Sequence, residues 1–254
     1  MGYLHEGHLT LVDTAREHGD VVVMSIYVNP LQFGPAEDLA RYPRDMERDT
    51  ELARARGVDI IFAPDDDEMY GSDKPAVTVH APHLSDRLCG LFRPGHFEGV
   101  LTVVAKLFNI VRPSVAVFGQ KDYQQAVLIQ RMARDLDFEL HVDVAPIVRE
   151  ADGLAMSSRN VYLSNEERAA ALALSRALRV AQLRYRDGER KPAALVQSAR
   201  QLLDGERGVT LQYVEVVDPA SLDNPGQADD NSVMAVAAVV GKTRLIDNAI
   251  LSAR

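Results

Sequence analysis

The sequence of 254 residues has one cysteine, Cys89, and so admits no intrachain disulfide. It also lacks the cysteine and histidine spacing of a structural zinc site, which fits a reducing compartment; Cys89 reads as a small buried hydrophobe. Positive charge is in short supply, with 28 Lys+Arg against 37 Asp+Glu and a formal net charge of −9 at pH 7. That balance argues against a general nucleic-acid binder. The longest fully apolar run, Val233 to Val240, falls well short of the roughly 18 to 20 residues that span a bilayer. The first ten residues contain Glu6 and two histidines, and they lack the basic stretch followed by an apolar one that marks an export signal. There is no internal repeat and no low-complexity tract, and the acidic cluster Asp65 to Glu68 reads as a solvated loop. The expectation is a soluble, cytoplasmic protein with neither a nucleic-acid nor a membrane partner.

What is present is an ordinary globular composition, 46% hydrophobic and 26% charged. The length predicts two domains, because single cores stop growing at roughly 250 to 300 residues. Short β-branched runs at Val21 to Val28, Val58 to Ala63, Val115 to Phe118 and Phe138 to Ala145 look like buried strands of a largely parallel sheet. Between them, Phe97, Val100, Leu101, Val104, Leu107, Phe108 and Val111 recur at helical spacing until Arg112-Pro113, and a second apolar stripe runs from Ala126 to Leu136. Strand, helix, strand in this order predicts a doubly wound α/β fold, which binds ligands at the carboxyl ends of its strands. After about residue 148 the pattern changes. Ser164-Asn165-Glu166-Glu167 is a capping box ahead of a helix to about Arg186, Ala193 to Leu203 reads as another helix, and Leu211 to Val217 and Val233 to Val240 read as strands. We therefore expect domains at 1–147 and 148–254, the second a small α+β unit.

Three stretches carry chemistry. In His5-Glu6-Gly7-His8, just before the amphipathic Leu9, Val12 and Ala15, two imidazoles fall at a helix start, where unpaired N–H groups and the positive dipole end favour a phosphate. The spacing is three, not the four of a zinc-protease H-E-x-x-H. Gly2 to Gly7 has P-loop glycine spacing but His8-Leu9 where Lys-Ser/Thr belongs, and Gly241-Lys242-Thr243 has Val236 in place of the first glycine, so neither is a Walker site. The second stretch is Phe118-Gly119-Gln120-Lys121-Asp122-Tyr123-Gln124-Gln125, where a strand hands over to a helix. Lys121 there could neutralise phosphate charge or be a solvated surface group, and Asp122, three residues before Gln125, could be a helix cap. The third stretch, Met156-Ser157-Ser158-Arg159-Asn160, offers two hydroxyls and a guanidinium to a polyphosphate, or is simply a turn.

Taken together, HEGH near the start, a lysine at a strand end and MSSR before the second domain resemble the paired HxGH and KMSKS-like motifs of the adenylate-forming nucleotidyltransferase superfamily. Within it, the sequence is similar to the pantoate–β-alanine ligase (pantothenate synthetase) family. The resemblance runs through MGYLHEGHL at 1 to 9, YVNPLQF at 27 to 33, YPRD at 42 to 45, GHFEGVLTVVAKLFNIVRP at 95 to 113, FGQKDYQQ at 118 to 125, VREADGLAMSSRNVYL at 148 to 163 and GKTRLIDN at 241 to 248. Blocks in this number and order span essentially the whole chain.

The resemblance implies a Rossmann-like ATP- and pantoate-binding domain with a smaller α+β lid domain. It also implies an AMP-forming ligation in which pantoate and ATP give pantoyl adenylate, which β-alanine then attacks to give pantothenate. By motif, Met1, Gly2, Tyr3, Leu4, His5, Glu6, Gly7 and His8 would line the ATP site, with His8 as proton donor to the phosphates. Gly119, Gln120, Lys121, Asp122, Val148, Met156, Ser157, Ser158 and Arg159 would complete it. The catalytic group would be His5, His8, Lys121, Ser157, Ser158 and Arg159, with Mg²⁺ on the phosphates. Gln32 would touch pantoate and β-alanine and Gln125 would hold pantoate, with Asn29, Tyr42, Arg93 and His96 in support. Asp45 and Asp49 could meet magnesium, or form a solvated helix face at their spacing of four. A homodimer is implied as well. Members of the family carry a segment ahead of the motif methionine that includes the first strand of the sheet, so the sheet formed by the given residues is expected to lack it. Two other readings stand beside the ligase: a nucleotidyltransferase of the same superfamily that stops at nucleotidyl transfer, and a catalytically silent nucleotide-binding protein.

Overall fold

A computed structural model describes residues 2–35, 37–73 and 75–252. The chain divides into two compact units, one of residues 1–120 and 125–148, the other of residues 121–124 and 149–254.

In the first unit the order is α1 (Glu6–His18), β1 (Val23–Ser25), α2 (Met46–Ala55), β2 (Ile60–Phe62), α3 (Asp66–Tyr70), α4 (Pro82–Ser85), α5 (Cys89–Phe92), α6 (His96–Val111), β3 (Val115–Gly119), α7 (Tyr123–Asp135, whose first two residues belong to the second unit) and β4 (His141–Ala145). Its strands run parallel in two pairs, β1 with β2 from Val23↔Ile60 and β3 with β4 from Val115↔His141. The α1 helix buries Leu9 and Val12 against Val22, Met24 and Ile26 and also packs on β3 and β4, so one amphipathic helix serves both pairs. Strands β1, β2 and β4 are shorter than the β-branched runs that predict them, since a run marks burial as well as pairing, whereas β3 extends one residue beyond its run to Gly119. Arg112 takes φ 50° and its amide closes on Phe108, capping α6 after Val111, two residues before Pro113. Asp65 to Glu68, expected as a loop, is instead the cap and first turn of α3. The Asp65 side chain accepts the Glu68 amide while Glu68 accepts that of Asp65, so a short helix forms and its acidic side chains still face water. Cys89 is buried.

The second unit continues with α8 (Asn165–Arg186), α9 (Pro192–Asp204), β5 (Val209–Val217), β6 (Val233–Val240) and β7 (Thr243–Ile250). Ser164 and Glu167 form the expected reciprocal cap. Small residues at helical spacing, Ala170, Ala173, Ala177 and Ala181, let α8 lie close to the sheet, where Leu174, Leu178 and Tyr185 fill the core with Leu195 and Leu203 of α9. The sheet is antiparallel in the order β5-β6-β7. Its third strand, β7 (TRLIDNAI), carries polar residues in place of the continuous apolar run of β6 and shows in the sequence only as a motif block; Gly241-Lys242 is the turn of the β6–β7 hairpin between the paired Val240 and Thr243. Gly241 has φ 58°, and a Cβ there would collide with the Glu167 carboxylate. Among the described residues no helix is long and apolar enough to cross a membrane.

Candidate functional site

In the first unit the helix α1 begins at Glu6, with His5 at the N-cap in extended conformation, φ −138° and ψ 172°. The His5 carbonyl accepts the amides of His8 at 2.8 Å and Leu9 at 3.1 Å, so the two imidazoles lie one turn apart and stack, their centroids 3.9 Å apart and their planes at 23°. Both Nδ1 atoms are buried. The approach to this helix is fixed from a distance. Asp49, 1% exposed on α2, accepts the amide of Tyr3 through Oδ2 and that of Leu4 through Oδ1, each at 2.6 Å. Tyr3 has φ 53°, a left-handed conformation that costs a bulky residue free energy, and the Arg48 guanidinium lies 4.9 Å from its ring centroid. Leu4 is fully buried below it. Gly2 is tight against Val28. Glu6 faces the other way and pairs with Arg56 at 2.6 Å. Met1 lies outside the described residues.

These contacts correct the reading of Asp45 and Asp49. Asp45 precedes α2 as its N-cap, accepting the Arg48 amide at 3.1 Å, and Asp49 points inward to the backbone before α1 rather than onto a solvated face. Among the described residues no group of three or more His, Cys, Asp or Glu side chains could hold a metal ion.

A second cluster surrounds Gln32, which ends the 3₁₀ turn Pro30–Gln32. Asn29, 2% exposed, accepts from the Tyr70 hydroxyl at 2.7 Å and the Leu31 amide at 3.2 Å, and donates to the Gly99 carbonyl at 3.1 Å and to Gln32 Oε1 at 3.3 Å. The Gln32 carbonyl accepts from His96 Nδ1 at 2.8 Å and Arg93 at 3.3 Å. Arg93 also donates to His96 Nε2 at 2.9 Å, and because a guanidinium only donates, His96 is the neutral Nδ1–H tautomer. A fork to Glu37, at 2.8 and 2.6 Å, fixes Arg93 in turn. Gly99 lets α6 approach this turn: a Cβ there would lie 2.7 Å from the Gln32 nitrogen and closer still to the Leu31 carbonyl oxygen. Burial above all, and then the Asp66 carboxylate, pushes the Tyr70 phenol upward, so it stays a donor to Asn29. Tyr42 caps the turn Leu39–Arg41 and meets the Phe33 ring edge-on at 5.9 Å. Gln125 and Val148 belong to this unit and are partly buried, and Gly119 ends β3 opposite Ala145.

The second unit carries the remaining groups except Gln120, which belongs to the first. Gln120–Asp122 is a 3₁₀ turn running directly into α7; Lys121 and Asp122 form an ion pair at 3.6 Å, and the Lys121 carbonyl accepts from Asn248 at 3.1 Å. Ser157 caps the 3₁₀ turn Ser158–Tyr162, its hydroxyl accepting the Arg159 amide at 3.3 Å; Ser158 is buried, and Met156 and Arg159 are partly exposed. The foot of this loop is held by Arg149, which forms a fork to Asp247 at 2.7 and 2.9 Å, and by Asn160, which donates to Glu150 at 2.6 Å and to the Ala155 carbonyl at 3.1 Å. The sequence alone does not single out Arg149, Asp247, Asn160 or Tyr70. Tyr70 lies 41 residues from Asn29 and Arg149 lies 98 from Asp247, so no local spacing signals either pair, while Asn160 bonds within its own loop at separations that match no helix or strand period.

The sequence profile of the family described as pantoate-beta-alanine ligase matches residues 1–250. Pantothenate synthetase of Thermoanaerobacter sp. (strain X514) is 52% identical over 248 residues, covering 98% of this chain and 87% of that protein. Pantothenate synthetase 1 of Bradyrhizobium diazoefficiens is 54% identical over 255 residues, covering 99% and 88%. Among solved structures, pantothenate synthetase from Thermus thermophilus has a TM-score of 0.96 at 45% identity, covering 99% of this chain and 91% of that one. Pantoate-beta-alanine ligase from Francisella tularensis, complexed with beta-gamma ATP and beta-alanine, has a TM-score of 0.81 at 32% identity, covering 99% and 87%.

Proposed function

The chain belongs to the pantoate–β-alanine ligase family, and from that premise we propose how its residues divide the work. The activity is ATP-dependent, AMP-forming ligation of pantoate and β-alanine; relatives of this identity and coverage do not favour a silent nucleotide binder or a transferase that stops at the first step.

In the first step a carboxylate oxygen of pantoate attacks the α-phosphorus of ATP, and the bond from that phosphorus to the bridging oxygen breaks as pyrophosphate departs. In the second, the amine of β-alanine attacks the acyl carbon, the C–N bond forms, AMP leaves and the amine releases a proton. Adenylation turns a poor electrophile into an acyl group with a good leaving group, and binding aligns the reactants. Negative charge grows on the α-phosphate and on the departing pyrophosphate, so donors fixed in advance stabilise the transition state.

The observation that carries this assignment is the stacked His5–His8 pair at the N-terminus of α1. Helix-end amides and two imidazoles there suit a phosphate, and His8 is the proton donor to it. Lys121, Ser157, Ser158 and Arg159 serve the phosphates as well, with Met1 to Gly7 along the nucleotide through their backbone, since the Leu4 side chain is buried and that of Glu6 pairs with Arg56, and with Gly119, Gln120, Asp122, Val148 and Met156 beside them. Gln32 and Gln125 bind pantoate, and Gln32 also meets β-alanine, with an amide that places no fixed charge beside the reacting carboxyl. Asn29, Arg93 and His96 hold Gln32, and with Tyr42, whose ring meets Phe33, they form a second rank of substrate contacts. The first unit thus takes nucleotide and pantoate, and the second, which gains residues 121–124 and leaves Val148 to the first, acts as the lid domain. Magnesium enters with ATP as part of the substrate: both Asp49 oxygens are taken by the Tyr3 and Leu4 amides, and Asp45 caps α2 through one oxygen.

The deciding experiment is AMP formation by the purified chain with ATP and Mg²⁺, adding pantoate and β-alanine separately and together. AMP only with both is expected; AMP from a folded sample with neither acid, or none with both, would sink the reading. We also propose a cytoplasmic homodimer, checked by light scattering, where a monomer mass at working concentration would remove it.

A further inference from the structure

Beside the residues assigned to the phosphates, the second unit buries the polar side chains of Thr243, Asp247 and Asn248 on β7, and the last two reach beyond the sheet. We propose that Asp247 and Asn248 are positioning residues for adenylation, Asp247 for the loop that carries Ser157 and Arg159 and Asn248 for Lys121. The inference rests on the reading of Lys121 and Ser157 to Arg159 as phosphate groups.

Both side chains are almost fully buried, at 4% and 3% exposure. They are adjacent on a strand, so they project to opposite faces and act on different targets. Their partners across the ladder are the apolar Val236 and Ala235 of β6. Asp247 receives both terminal nitrogens of Arg149, at 2.7 and 2.9 Å, and Arg149 also reaches the Gly153 carbonyl at 3.2 Å. Arg149 and Ala155 form a β-bridge, so the carboxylate pins both arms of the turn from which Met156 to Arg159 emerge. Asn248 donates through Nδ2 to the Lys121 carbonyl at 3.1 Å, fixing the backbone of the lysine and leaving its ammonium to be aimed by its side chain. Adjacent residues of one rigid strand thereby set the positions of both groups of donors.

Only the carboxylate of this pair is buried, with 3% of the Asp247 side chain exposed against 32% for Arg149, and burying a charged or polar group is poor value for stability alone, because desolvation offsets much of what its hydrogen bonds contribute. Packing therefore does not account for a carboxylate and a carboxamide here. What they do provide is fixed placement, and a displacement of about 1 Å in a catalytic group lowers rates on the order of a hundredfold.

The test is pantoate-dependent ATP–pyrophosphate exchange by the full chain in Asp247→Asn and Asn248→Ala, with thermal unfolding measured alongside. The kcat of exchange is expected to fall about tenfold to a hundredfold while the KM for pantoate stays unchanged. Arg149→Lys, which keeps charge and loses the fork, should retain more activity than Arg149→Ala. Exchange within about twofold of the parent in folded Asp247→Asn and Asn248→Ala overturns the proposal, as does a loss that follows the unfolded fraction. Lys121→Ala separates the two levels: if its exchange rate collapses while the β7 variants keep theirs, only the positioning role fails. If Lys121→Ala itself exchanges normally, the phosphate assignment fails and takes the positioning role with it.

Discussion

Asp49 and Leu4 are 45 residues apart in the chain and meet at 2.6 Å, the Leu4 amide donating to Asp49 Oδ1 where neither residue is more than 1% exposed. With the Tyr3 amide on the other oxygen, one carboxylate determines how the backbone enters α1 and therefore where His5 and His8 stand.

Asp49→Ala leaves two amides without this acceptor, and a charge-assisted hydrogen bond contributes about 1.5 to 3 kcal/mol. We expect a loss of about 3 kcal/mol in urea unfolding, with adenylation falling in the protein that remains folded. A stability within experimental error of the parent would show that Asp49 does not anchor the turn.

His8→Ala and Lys121→Ala each remove a donor assigned to the phosphates. Single-turnover pantoyl-adenylate formation should drop on the order of a hundredfold in each, with unfolding midpoints near that of the parent. Unchanged rates in both would dismiss the assigned site.

Gly99→Ala drives a methyl group into the Leu31 carbonyl and the Gln32 nitrogen, neither of which has a flexible end to yield. Overpacking of this kind costs about 1 to 3 kcal/mol, and the displaced turn carries Gln32, so the KM for pantoate should rise. A variant with the parental KM and melting temperature would refute the close-approach argument.

The Leu154 amide above all, and then the Arg168 guanidinium, holds the Asp152 carboxyl below the usual carboxylate range. A carboxyl whose folded pKa is depressed stabilises the protein above its unfolded value, about 3.9, and that stabilisation is lost as pH falls through the lower folded value. Asp152→Asn should therefore show a shallower loss of stability below about pH 4, measured by denaturant midpoints across an acid series. A slope equal to the parent's would exclude Asp152 as a contributor.

The parts of the molecule legible in the sequence are those governed by neighbours in the chain. The Ser164–Glu167 cap, the helical repeat of α6 and the apolar run of β6 each declare themselves within a few residues. The motif positions are legible for the same reason, His5 and His8 lying within one turn. Asp49 misleads because its spacing from Asp45 suits a solvated helix face, whereas its partners lie 45 and 46 residues away. Asp247 and Asn248 are visible only as part of a block, since their partners lie 98 and 127 residues back along the chain. Tertiary hydrogen bonds of this reach leave no periodic trace, and only folding brings the two ends together.

Residues 121–124 group with 149–254 although chain on both sides of them belongs to the first unit. The polypeptide therefore has no single seam at which it can be cut into transferable cassettes. A gene fragment starting at Arg149 would encode Asn248 without the Lys121 carbonyl it binds, and a chimera joined at that point would pair β7 with a foreign lysine turn. Exchange of the second unit between relatives therefore has to move two separate stretches of chain, and because Asn248 binds a backbone carbonyl, the contact survives a change of side chain at position 121 but not a displacement of its backbone.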